Sequence, residues 1–247
     1  MRSILSVKEL SVNYGPKLAL DNVSVNIPSG KIVGVIGPNG SGKTSFLKAI
    51  LGLISSSSEY VKFKEAEVSK HLSQISYVPQ RESIDWNFPV SVMDVVLMGR
   101  YSKKSLFRRS NLQDKKKALE ALDLVGLADL GKRQIGQLSG GQQQRTLVAR
   151  ALARDAELFL LDEPFAGVDA NTERTLLQLF GEMTDQGKSV VMVHHDLYAV
   201  KNYFDHIILL CNKLIADGEV DDVLTQENLN KAYGGLMSFL NIQEKNA

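Results

Sequence analysis

The stretch Gly37-Pro38-Asn39-Gly40-Ser41-Gly42-Lys43-Thr44 carries the clearest chemistry in the chain. Its fixed positions fit G-x-x-x-x-G-K-[ST], a spacing that falls together by chance in a chain of this length about one time in a hundred. Glycines let backbone N–H groups turn inward around phosphate oxygens. The apolar run Ile32-Val33-Gly34-Val35-Ile36 precedes the loop, and Ser45 to Leu51 reads as a helix behind it. A helix that starts at such a loop aims the positive end of its dipole at the same anion. Lys43 reaches β- and γ-phosphates, and the Thr44 hydroxyl ligates Mg²⁺. A plain glycine turn between two core elements is the competing reading, and the flanking strand and helix weigh against it.

Three more sites join it. Leu138-Ser139-Gly140-Gly141-Gln142 is a second glycine turn, and it opens a long helix over Gln143 to Leu152. A hydroxyl, two flexible amides and a helix N-terminus make an anion site, or else an ordinary helix cap. Leu158-Phe159-Leu160-Leu161 runs into Asp162-Glu163, which describes a buried strand presenting carboxylates at its C-terminal end. In open α/β sheets ligands bind at that end. Asp162 holds Mg²⁺ directly or through water, and Glu163, one residue beyond, orients and deprotonates an attacking water. Two solvated acids ending a strand are the alternative. Ser189 to Val193 forms a further strand that ends in His194-His195-Asp196. Adjacent strand residues point to opposite faces, so at most one histidine faces a nucleotide and a two-histidine metal site is disfavoured. A neutral imidazole there donates to a γ-phosphate, or the residue is structural. Tyr14, taken alone, is a strand-end aromatic, and His71 and His206 have no chemistry to do.

Composition narrows the class. At 247 residues the chain holds one large domain or a domain with subdomains. A net charge of +1 gives no nucleic-acid footprint. The single cysteine, Cys211, excludes a disulfide framework, suits a reducing cytosol and reads as a small buried hydrophobe within Ile207 to Cys211. No apolar run approaches the ~20 residues that span a bilayer, and the N-terminus lacks the h-region of a signal peptide. Work at a membrane would therefore go through a partner.

The elements that must position these residues follow from periodicity. Residues 4–36 read as β, with alternation in Leu5 to Lys8 and Val23 to Ile27 and turns at Gly15-Pro16 and Pro28-Ser29-Gly30. Residues 55–74 are weakly patterned: Ser55 to Ser58 is a loop, and Val61, Phe63 and Val68 mark short strands. Ile75 to Val78 is a clearer strand that ends at Pro79. Residues 81–89, with Trp86 and Phe88, are too irregular for a strand. Ser91-x-x-Asp94 is a capping-box start, followed by Val92, Val95, Val96 and Met98 at helical spacing. The basic stretch 102–117 is a solvated surface or a contact for anionic lipid headgroups or a partner. A helix through Ala118, Leu119, Ala121, Leu122 and Val125 ends near Gly126.

Taken in order, the phosphate loop, Gln80 after a strand, Leu138 to Gln142, the strand into Asp162-Glu163 and the late histidine resemble the ATP-binding subunit of ABC transporters. The resemblance runs from about residue 4 to about residue 235. It implies an α/β fold: a P-loop NTPase with a mostly parallel central sheet flanked by helices. An N-terminal antiparallel β-subdomain (about 1–30 with 55–78) and an inserted helical signature subdomain (about 88–153) complete it. The ATP-binding core spans about 30–54 and 155–235, with a tail at 236–247.

The resemblance also implies roles. Tyr14 stacks on adenine, and Gly37, Pro38, Asn39, Gly40, Ser41, Gly42, Lys43 and Thr44 bind the phosphates. Gln80 touches Mg²⁺ and the water and senses the transport partner. Ser139, Gly140, Gly141 and Gln142 cover the γ-phosphate of ATP held by a second subunit, and Asp169 lies in a loop that communicates across the dimer. Asp162 holds Mg²⁺, Glu163 is the base and His195 the switch histidine. ATP and Mg²⁺ are the implied cofactors. The implied partners are an integral-membrane permease, a second ATPase subunit (a homodimer or a pair with a similar chain) and an extracytoplasmic metal-binding protein, with no nucleic acid. The chain would sit peripherally at the cytoplasmic face of the plasma membrane.

The stretch Val78 to Val90, continuing through Val95 to Arg100, is similar to bacterial importers for manganese, zinc and iron. Iron-chelate and cobalamin importers are the nearest competitor. Trp86, Phe88 and Met98 are then anchors for a permease helix or else core residues. Residues 55–74 depart from the family pattern by lacking Gly-x-Ile and the glycine turn after it, which leaves the local β geometry open.

Overall fold

The computed structural model describes residues 2–101 and 110–234. The chain forms two compact units, one from the first 71 residues together with the chain from Val193 onward, the other from Leu72–Met192. The first unit opens with β1 (Ser3–Tyr14), β2 (Lys17–Pro28), β3 (Ile32–Ile36), α1 (Lys43–Ile50), β4 (Tyr60–Phe63) and β5 (Ala66–Glu67). The second holds β6 (Ile75–Val78), α2 (Val92–Met98), α3 (Leu112–Leu124), α4 (Gly140–Leu152), β7 (Leu158–Asp162), α5 (Ala170–Asp185) and, at its close, β8 (Ser189–Val193). The chain then returns to the first unit as α6 (Leu197–Tyr203), β9 (His206–Cys211), β10 (Lys213–Glu219), α7 (Val220–Val223) and α8 (Gln226–Tyr233).

In the first unit β1 and β2 form an antiparallel hairpin that turns at Gly15, whose φ is 58°. Leu5, Val7, Leu10 and Val12 bury one face of β1, and Leu20, Val23, Val25 and Ile27 do the same for β2, which is the alternation read in the sequence. The sheet order is β2-β1-β4-β5. The β4–β5 hairpin turns on Lys64 and Glu65, at φ 49° and 67°. Both central residues are left-handed, the geometry that glycine usually supplies, so the missing glycine turn does not abolish the hairpin. Val61 and Phe63 lie on a strand as expected. Val68 does not: it begins a 3₁₀ turn, Val68–Lys70. The other strands of this unit run in the order β10-β9-β3, β3 parallel and β10 antiparallel to β9. Ile207, Ile208, Leu209 and Leu210 are fully buried, each contributing about 1.5–3 kcal/mol of transfer free energy. Asp205 latches the start of β3, its Oδ2 accepting from the Ile32 amide at 2.9 Å.

In the second unit the strand order is β8-β7-β6, and β6 pairs with β7 in parallel, Ile75 opposite Leu158 and Val78 opposite Leu161. Residues 75–78 therefore belong with parallel strands rather than with the antiparallel sheet in which 55–78 was grouped. Ile75 and Val78 are buried, which suits a parallel pair. Helices α2, α3 and α4 pack on one another. Each opens with a capping box: Ser91 with Asp94, Asn111 with Asp114, and Ser139 with Gln142.

Several expectations are corrected. Cys211 is half-buried at the end of β9, not interior. Phe88 and Met98 are 63% and 45% exposed, so neither is a core residue. Trp86 is half-buried, and its Nε1 donates to Arg81 O at 2.9 Å. Of the basic stretch, 102–109 lies outside the described residues. Lys116 and Lys117 on α3 pair with Glu120 (3.8 Å) and Asp155 (3.0 Å). Among the described residues no helix is long and apolar enough to cross a membrane.

Candidate nucleotide site

The phosphate loop joins β3 to α1 in the first unit. Gly37, Gly40 and Gly42 have φ of 149°, 79° and 96°. Two of them are also fixed by space. A Cβ on Gly37 would stand 2.0 Å from Leu210 O, and one on Gly42 2.5 Å from Ala19 O. Gly42 caps α1 without any side-chain hydrogen bond, and no acid lies in the first helical turn, so neither the cap nor the first turn answers the positive end of the helix. Lys43 is buried, and its Nζ donates to Gly37 O (2.8 Å) and Pro38 O (2.9 Å), folding back along the loop. The Ser41 hydroxyl is buried with no hydrogen-bond partner among the described residues. A cradle that a Cβ would fill, an uncapped helix start and an orphaned buried hydroxyl together fit a polyphosphate. Thr44 is half-buried one residue beyond Lys43. Tyr14 ends β1, 49% exposed, with its hydroxyl 3.3 Å from Ser45 Oγ, so it stands beside the first turn of α1.

The carboxylates end β7 in the second unit. Asp162 is fully buried. Its charge reaches Tyr77 on β6, whose buried phenol is pushed above its ordinary range by burial first and by Asp162 second, while Arg150 opposes. Glu163 follows at φ 52°, a left-handed conformation that costs a residue with a Cβ about 1–2 kcal/mol. Two glutamines hold it there. Gln80 Nε2 donates to Glu163 Oε1 at 3.0 Å, and Gln144 Nε2, from the fully buried Gln144 of α4, donates to Glu163 O at 3.2 Å. The geometry thus brings Gln80 and Glu163 together. Among the described residues no group of three or more His, Cys, Asp or Glu forms a metal cage. The buried carboxylate of Asp162 is a hard oxygen donor of the kind that suits Mg²⁺, which keeps waters and takes substrate phosphates.

The second glycine turn is a helix cap, one of the two readings that the sequence leaves open. Ser139 is the N-cap of α4: its Oγ accepts from Gln142 N (3.3 Å), and its amide donates to Gln142 Oε1 (3.0 Å). Gly141 is a glycine for want of room rather than for φ: a Cβ there would meet the backbone Gly167 O at 2.4 Å, whereas one on Gly140 would meet only the movable end of the Arg81 side chain, Nη1 at 2.8 Å. Asp169 caps α5, accepting from Thr172 N (3.0 Å) and Thr172 Oγ1 (2.7 Å), and these bonds hold its carboxyl below the usual range.

The two histidines lie just past the end of β8 and divide into one buried and one exposed, the split expected of neighbours in an extended segment. His194 is buried among the rings of Tyr203 (5.7 Å) and Phe204 (5.9 Å), while His195 is exposed. Burial first, then the neighbouring His195, pushes the His194 imidazole down to about 4, against the pull of Asp196. His206 is tied to Asp217 at 2.6 Å, and His71 lies against the Phe63 ring at 5.7 Å. Sequence reasoning gave no role to Gln144 or Asn212. Gln144 carries no local signal. Asn212 does: an asparagine between two apolar runs marks a left-handed turn.

A phosphate-cradling loop, a carboxylate-ended parallel strand and a capped glycine signature on one α/β chain define an ATP-binding cassette. The chain belongs to the ABC transporter family, which matches residues 20–166. It is an ATP-binding, ATP-hydrolysing component of a multi-subunit transport system. It is 47% identical over 236 residues to the manganese transport system ATP-binding protein MntB of Bacillus subtilis (strain 168), covering 96% of this chain and 94% of that protein. It is 45% identical to the zinc transport system ATP-binding protein TroB of Treponema pallidum (strain Nichols), covering 95% and 88%. Among solved structures it resembles a nucleotide-free ATP-binding cassette from an ABC transporter, with TM-score 0.76, 26% identity and 94% and 95% of the two chains covered. The ADP conformation of the cassette MJ1267 gives a TM-score of 0.76 at 28% identity over 95% and 100%.

Proposed function

We propose that this chain hydrolyses ATP to drive import of a divalent metal ion, manganese before zinc or iron. It does so as one of two ATPase subunits docked peripherally on an integral-membrane permease at the cytoplasmic face of the plasma membrane, fed by an extracytoplasmic metal-binding protein. The observation that carries the coupled hydrolysis is the 3.0 Å contact between Gln80 and Glu163. It ties the catalytic carboxylate to the segment that continues into the exposed Phe88, so a permease pressing on that segment moves the group that handles the water. The near full-length likeness to MntB and TroB supports the metal class.

The residues divide the work. Lys43 and the amides of Gly37 to Thr44 take the β- and γ-phosphates, and the ring of Tyr14 stacks on adenine. Mg²⁺, held through Thr44, Gln80 and Asp162, supplies charge neutralisation on the phosphate oxygens. Glu163 takes the proton of the attacking water, which Gln80 helps to aim. His195, exposed just past the end of β8, donates to the γ-phosphate. Ser139, Gly140, Gly141 and Gln142, with the Asp169 loop beside them, close over ATP held by the second subunit. Residues of about 88–153 form the helical signature subdomain, about 30–54 and 155–235 the nucleotide core, and 236–247 a tail.

Proteoliposomes holding the permease and this chain test the reading. ATP should drive ⁵⁴Mn²⁺ accumulation that Lys43→Ala abolishes, and unlabelled Zn²⁺ should compete. Uptake of ferric chelates or cobalamin in place of Mn²⁺ would assign the chain to the other importer class.

A further inference from the structure

The turn between β9 and β10 sets Asn212 behind the phosphate loop. Its φ is 56°, the left-handed region that asparagine tolerates better than other residues with a Cβ. From there it makes four hydrogen bonds to two separate segments. Its amide donates to Ser41 O (3.0 Å), and its carbonyl accepts from the Asp21 amide (2.7 Å). Its side-chain Nδ2 donates to Ala19 O (3.0 Å) and to Gly40 O (3.4 Å). The next residue, Lys213, pairs with Asp21 Oδ2 at 3.0 Å. One half-buried residue thus ties two positions of the loop to two positions of β2.

The loop has little slack around this tie. The Leu210 carbonyl, two residues before Asn212, is the atom that forbids a Cβ at Gly37. The Ala19 carbonyl, which Asn212 itself holds, is the atom that forbids one at Gly42. A loop that binds phosphate through backbone amides needs those amides aimed before the ligand arrives. If they are not, the ordering is charged against binding. Glycines at 37, 40 and 42 give the loop its shape but leave it intrinsically loose. Something outside the loop has to hold it.

We propose that Asn212 is a positioning residue for nucleotide binding, its carboxamide and left-handed backbone clamping Gly40 and Ser41 to β2 so that the amides of the loop stay aimed at phosphate. The proposal rests on the reading of Gly37 to Thr44 as the phosphate cradle. It requires no contact between Asn212 and ATP.

The test compares Mg-ATP affinity and steady-state hydrolysis of the full chain for Asn212→Gly, Asn212→Asp and Lys43→Ala, with binding normalised to the folded fraction by circular dichroism. Asn212→Gly keeps the left-handed turn and the amide bond to Ser41 but loses the carboxamide. Two lost hydrogen bonds predict a dissociation constant raised roughly five- to tenfold. KM should rise in parallel, with kcat at saturating ATP within about twofold, because the clamp acts before chemistry. Asn212→Asp keeps size and turn preference but turns an oxygen on the carbonyls of Ala19 and Gly40, so it should bind more weakly than Asn212→Gly. Wild-type affinity in both variants while Lys43→Ala binds poorly would overturn the proposal and leave the cradle standing. Wild-type affinity in Lys43→Ala would overturn the cradle, and the proposal with it.

Discussion

His194 and His195 are adjacent, chemically identical and placed in opposite surroundings. His194 is held neutral inside an aromatic cluster, while His195 faces outward. His195→Ala should therefore lower hydrolysis about 100-fold or more, on the magnitude of a lost proton donor or acceptor. His194→Ala should keep turnover per folded molecule and lose about 1–3 kcal/mol of stability. Phosphate release and thermal melts separate the two, and the reverse pattern would mean that His194, not His195, serves the nucleotide. The pH dependence follows with a definite sign. The folded imidazole of His194 lies near 4, below its unfolded value of about 6.5. Between those values the unfolded chain takes up the proton and the folded chain does not. His194 thus contributes fully above about pH 6.5, and that contribution drains away as the pH falls toward 4. His194→Phe should melt with a shallower acid slope than the wild type over that window. Parallel slopes would show that His194 is not held neutral.

Elements were legible where their chemistry is local. The capping box at Ser91 is spelled out within four residues and exists as read, and the helix cap that is one reading of Ser139 forms as a capping box with Gln142. The buried strands around Val33, Phe159 and Val190 declare themselves as unbroken apolar runs. What could not be read depends on non-local company. The β4–β5 hairpin turns on Lys64 and Glu65, residues that carry no turn signature. β10 is only partly covered, so its pattern never separates into two faces. Glu163 could be guessed as a base from its place after Asp162. The two glutamines that hold it lie 83 and 19 residues away in sequence, beyond any local pattern. Glycines give the sharpest test of this difference. Gly141 and Gly181 both sit in helices, yet a Cβ meets Gly167 O at 2.4 Å at the first and open space at the second. Gly141→Ala should cost about 1–3 kcal/mol, since backbone must move. Gly181→Ala should gain about 0.5–1 kcal/mol from helix propensity. Urea unfolding of the two variants reads both signs, and a stabilising Gly141→Ala would mean that α4 and the Gly167 loop yield freely.

One copy of each motif per chain raises the question of what the second glycine turn is for. Its serine is already committed as the cap of α4, which on its face argues against a ligand role. A hydroxyl, however, has one proton to give and two lone pairs. In the cap Ser139 Oγ only accepts, from the Gln142 amide, so it can still donate to an anion brought by another molecule without breaking its own helix start. Capping and anion binding are compatible, and the cap pre-aims the donor. If ATP bridges two copies through this residue, slowing hydrolysis should trap the pair. Glu163→Gln with Mg-ATP should double its mass by light scattering, and Mg-ADP should leave it monomeric, because the terminal phosphate is what the second copy grips. Ser139→Asp in that background separates the two roles. Aspartate caps a helix as well as serine does, but ionised it has no proton to offer and adds a like charge against phosphate. The variant should fold normally and fail to dimerise with ATP. A Ser139→Asp chain that still doubles its mass would show that the hydroxyl serves its own helix alone.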